Sequence, residues 1–94
     1  MGQTVVINKV VEMGDLLLID TDRSFTGQDG SALTPDSPGD AVPGKLAGRL
    51  FELDPGIDYV YVLQNAVTVR RPGGWDEASQ TAALSVVEGF LLFY

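Results

Sequence analysis

The chain of 94 residues contains no cysteine and no histidine. Without cysteine there is no disulfide, no thiol redox chemistry, no thiolate metal ligand and no cysteine-held iron–sulfur cluster. Without histidine there is no Ser–His arrangement, no imidazole proton shuttle and no conventional zinc site. Basic residues are scarce as well, six against thirteen acids, for a formal charge of −7. The deficit is steepest over residues 1–40, where seven acids face two bases. Such a surface repels phosphate backbones and anionic lipids, so neither nucleic acid nor a membrane is an expected partner. Long hydrophobic runs are missing too. "LLLI" (Leu16 to Ile19) and "FLLFY" (Phe90 to Tyr94) are far too short to span a bilayer. Met1-Gly2 opens like a myristoylation signal, but Val6 stands where Ser or Thr is required. With no targeting segment in view, the expectation is a cytoplasmic protein.

What is present fits one folded domain over 1–94. The apolar content is 45%, and a chain of this length buries roughly two-thirds of its unfolded surface, enough for one core. "TVVINKVVE" (Thr4 to Glu12) and "LLLIDT" (Leu16 to Thr21) flank "MGD" and read as a β-hairpin. The second run is continuously apolar, the pattern of a strand buried on both faces. Residues 24–40, "SFTGQDGSALTPDSPGD", hold three glycines and two prolines and read as a long mobile loop. A helix follows, with Asp40 as N-cap, Pro43 in the first turn, and Val42, Leu46, Leu50 and Leu53 on one apolar stripe that Phe51 widens. "DPG" (Asp54 to Gly56) suits a type II turn with Gly56 at positive φ.

"IDYVYVL" alternates, with Val60 and Val62 on one face and Tyr59, Tyr61 and Leu63 on the other. "QN" connects it to "AVTVR", Asn65 being the residue that tolerates a left-handed conformation. A second helix opens near Trp75, with Asp76 and Glu77 in its first turn. Its expected face is Trp75, Ser79, Ala82, Val86 and Phe90, with Ala83 and Val87 alongside and Gly89 at the end. The order ββαββα predicts an α+β fold, an antiparallel sheet with two helices packed on one face.

Several fragments invite a chemical reading. "GDAVPGKLAG" (Gly39 to Gly48) has the G-x-x-x-x-G-K spacing of a phosphate-binding loop. The position that should supply a magnesium-binding hydroxyl is Leu46, no buried strand precedes the fragment, and Pro43 removes a backbone N–H. It reads as a helix start, with Lys45 facing water and no nucleotide-binding residue. Gly44 and Gly48, four apart, mark close packing or simple tolerance. Asp20 and Asp22 have D-x-D spacing near Asp29, but Phe25 stands where a calcium loop needs glycine. No acid pair is singled out for catalysis, so no enzyme, catalytic residue, metal ligand or cofactor is assigned. Arg70 and Arg71 form the only basic doublet and sit near Trp75. Arg and Trp are frequent interaction hot spots, so these three are the candidate protein-binding residues. The competing reading places Trp75 in the core and both arginines in solvent.

"LAGRLFELDPGIDYVYVLQNAVTVRRPGGWDEASQTAALSVVEGF" resembles the N-terminal domain of the Nfu/NifU-like iron–sulfur scaffold proteins. Leu46, Ala47, Leu50, Phe51, Gly56, Val60, Val67, Thr68, Val69 and Trp75 fit that pattern, and the likeness runs from Pro43 to Phe90. Two details depart from it. "VVEMGD" replaces an Asn/Pro-rich stretch, and Gly74 precedes Trp75 where the family has an acid. The family holds its cluster on a C-x-x-C motif in a separate domain, which this sequence lacks. The resemblance therefore implies a stand-alone accessory domain that contacts partner or client proteins. The expected function is a non-catalytic interaction module linked to iron–sulfur cluster biogenesis, monomeric or weakly self-associating. The alternatives are a small homo-oligomeric structural protein joined through "FLLFY", and a carboxylate-based metal- or ligand-binding protein using the acidic stretch from Asp20 to Asp29.

Overall fold

The computed structural model describes residues 5–25, 30–36 and 42–90. In chain order the elements are β1 (Ile7–Met13), β2 (Leu16–Thr21), β3 (Ser31–Leu33), α1 (Val42–Leu53), β4 (Tyr59–Leu63), β5 (Ala66–Arg70) and α2 (Glu77–Gly89). The strands form one sheet in the order β1-β2-β5-β4-β3, every neighbouring pair antiparallel. The fold is α+β, as expected, with one strand more than the sequence pattern suggested. That strand, β3, falls inside the segment read as a single loop and pairs Ser31, Ala32 and Leu33 with Val62, Tyr61 and Val60. The same segment contributes Phe25 and Leu33 to the core. Phe25 donates its backbone N–H to Gln64 O at 2.8 Å, and its ring meets Phe90 edge-on at 6.2 Å.

The two-residue period of each strand decides the layers. Leu17 and Ile19 of β2, Val67 and Val69 of β5, and Val60 and Val62 of β4 all point to one face and are fully buried. Against that face pack Leu46, Ala47 and Leu50 of α1 and Ala83, Val87 and Phe90 at and beyond α2. Leu46 falls on the buried stripe as expected, and Lys45 beside it is exposed. Leu53 does not follow the stripe and is 43% exposed. It occupies the last helical position, and the core place beyond it is taken by Ile57. On α2 the buried face is rotated from the expected one: Ala83 and Val87 are buried, whereas Ser79, Ala82 and Val86 are half-buried. Trp75 precedes the helix, so counting a helical period from it misplaces the stripe. Ser79 serves the N-terminus instead. Its N–H donates to Asp76 Oδ1 at 2.7 Å, and its hydroxyl accepts from the Asp76 N–H at 2.9 Å, closing a capping box. Asp40, the expected cap of α1, lies outside the described residues, as do residues 91–94.

The turns differ from expectation in informative ways. Gly56 has no positive φ. The Asp54–Ile57 turn closes by Ile57 N–H to Asp54 O at 3.0 Å, and Asp54 Oδ1 accepts the Gly56 N–H at 2.9 Å. Pro55 is as suited to this geometry as to type II. In the second hairpin Gln64, not Asn65, is left-handed, at φ 53°. Asn65 is held in place by its own bonds: Nδ2 donates to Thr21 O at 2.9 Å and to Asp20 Oδ1 at 3.0 Å. Its carbonyl accepts the Thr21 N–H at 3.0 Å.

A Cβ built on Gly48 meets nothing within 4 Å, so this glycine is tolerated rather than required for close packing. Gly48→Ala should therefore stabilise the domain by up to about 1 kcal/mol, the helix-propensity difference. Leu46→Ala, at a side chain with no exposure, should cost about 2–5 kcal/mol. Urea unfolding of the two variants checks both signs.

Candidate docking face

The two helices cover only one side of the sheet. The register of the four pairings defines what lies on the other. One row across the strands is Met13, Leu16, Arg70 and Tyr59. The next is Val11, Leu18, Thr68, Tyr61 and Ala32, and the last is Lys9, Asp20, Ala66 and Leu63. Met13 is 59% exposed and Leu63 38%; Val11, Leu16, Leu18, Tyr59 and Tyr61 are half-buried by one another. The continuous apolar run of β2 had suggested burial on both faces. Instead Leu17 and Ile19 face the core while Leu16 and Leu18 face outward. A shallow depression of about 250 Å³ opens on this face above Leu18, between Lys9 and Val11 on β1 and Ala66 and Thr68 on β5. It exists because Ala66 and Thr68 are short beside their neighbours. Tyr61 leans toward the β3 edge, where its hydroxyl lies so close to Gly30 that a Cβ there would collide with it.

The three residues expected to bind a partner are separated by this architecture. Arg70 is on the open face and exposed. Its Nε and Nη2 donate to the two carboxylate oxygens of Asp58 at 2.8 and 3.0 Å, and its guanidinium lies 5.4 Å from the Tyr59 ring centroid. Arg71, one residue past the strand, turns beneath the sheet end. There Nε donates to Asp54 Oδ2 at 2.8 Å and Nη1 to Gly74 O at 2.7 Å. Trp75 is buried, and its Nε1–H donates to Asp15 O at 2.9 Å. The same carbonyl accepts the Arg71 backbone N–H at 2.9 Å. Arg71 and Trp75 thus fasten the first hairpin's turn to the start of α2, while Arg70 is exposed on the open face. The residues that build the open face, Val11, Leu16 and Leu18 above all, carry no motif. Their one sequence signal is the apolar run on β2 that a single covered face cannot accommodate.

Of the acidic stretch, Asp20 accepts from Asn65, and Asp22 Oδ1 accepts the Val6 N–H at 2.9 Å. Asp29 lies outside the described residues. Among the described residues no three His, Cys, Asp or Glu side chains gather in a way that could hold a metal ion, and no helix is long and apolar enough to cross a membrane.

Neither a family model nor a curated protein matches the chain. Among solved structures, the chain is similar to protein SAV1430 from Staphylococcus aureus. The identity is 15% and the TM-score 0.60, over 89% of this chain and 95% of that one. At that identity the likeness is one of fold.

Two carboxylates carry a pH dependence. The Arg70 guanidinium, donating directly to Asp58, holds that carboxyl below its ordinary value of 3.8. The Ser79 N–H does the same for Asp76. A carboxyl whose folded pKa is depressed contributes stability above its unfolded pKa and loses it as the pH falls through the folded one. The urea midpoint should therefore fall on acidification from about pH 5, and fall less steeply in Asp58→Asn/Asp76→Asn. An unchanged slope in the double variant would show that neither bond matters.

Proposed function

We propose that this domain is a non-catalytic protein-interaction module, working in the cytoplasm, that seats a partner on the open face of its sheet. The observation that carries the reading is the apolar surface of Val11, Leu16 and Leu18 on a side that, among the described residues, no helix covers. From strand spacing and rise, the five-stranded face measures roughly 24 by 17 Å, about 400 Å². That area includes Lys9, Asp20, Thr68 and Arg70 as well as the apolar side chains, and the apolar part of such a face, when it is the largest patch on a monomer, is often functional. Covering the whole face would return at most about 10 kcal/mol at ~25 cal/mol per Å² of apolar surface. Association costs about 4–15 kcal/mol. The balance favours a reversible contact, as suits an accessory domain that hands a client on.

The resemblance to the Nfu N-terminal domain supplies the setting, iron–sulfur cluster biogenesis. With no cysteine in the sequence, these residues would serve the protein contact rather than hold the cluster. Mass spectrometry of proteins retained by the tagged chain tests the reading, with Leu18→Gln as the comparison. A cluster-assembly factor or iron–sulfur client should be retained by the wild type and lost with the variant, while circular dichroism and urea midpoint stay close to wild type. Recovery of neither kind of protein removes the iron–sulfur link. Equal retention by both proteins removes the open face as the docking surface.

A further inference from the structure

We draw no further inference here: the strongest candidate, the shallow depression above Leu18 on the open face of the sheet, belongs to the docking surface already described, where Lys9 and Arg70 stand against Asp20 and Asp58 and nothing in the structure shows what covers it.

Discussion

The seam between β2 and β5 is the pairing on which the rest of the domain depends. A two-stranded hairpin is marginal in water by itself, and this chain has two, with β3 and α1 between them in sequence. Antiparallel pairing from Leu16 with Arg70 to Asp20 with Ala66 joins them into one sheet. It sets Leu17 and Ile19 beside Val69 and Val67 and makes one continuous apolar floor for α1 and α2. A slip of β2 by one residue would turn Leu17 and Ile19 out and bring Leu16 and Leu18 in. The Asp15 carbonyl reinforces the register from the end of the seam, accepting from the Arg71 backbone and from the Trp75 indole.

The same register produces the open face. Because side chains alternate, any strand apolar at every position must show half of them to whatever lies on the far side of the sheet. β2 reads Leu-Leu-Leu-Ile, and nothing within the described residues covers its outer half. The exposed surface therefore follows from composition rather than from loose packing, since Leu17 and Ile19 on the inner side are buried. The third layer that β2 is written for is, on this account, supplied by another protein.

Much of the fold was legible in the sequence, for identifiable reasons. The second hairpin declares itself through strict alternation in "YVYVL" and "AVTVR" with a two-residue connection, and its faces are those expected. The buried stripe of α1 is equally clear, because Leu46 and Leu50 repeat at four. β3 is not, since three residues between glycines and prolines carry no period, and the pairing with β4 that creates it is long-range. The face of α2 came out rotated because Trp75 belongs to the loop before it. The candidate docking residues were the least legible. Arg70 and Arg71 are adjacent in sequence, but the strand ends between them, so one reaches the open face and the other a half-buried ion pair with Asp54. Docking surfaces made of ordinary aliphatic side chains have no motif; register alone assembles Val11, Leu16 and Leu18.

The most direct measurement of the central claim is methyl cross-saturation NMR on the chain bound to the partner it retains. Saturation passed from the partner should reach the methyl groups of Val11, Leu16 and Leu18 and spare those of Ala78 and Ala82, which lie on the outer surface of α2. Transfer concentrated on the α2 methyls, with the β1 and β2 methyls silent, would contradict it.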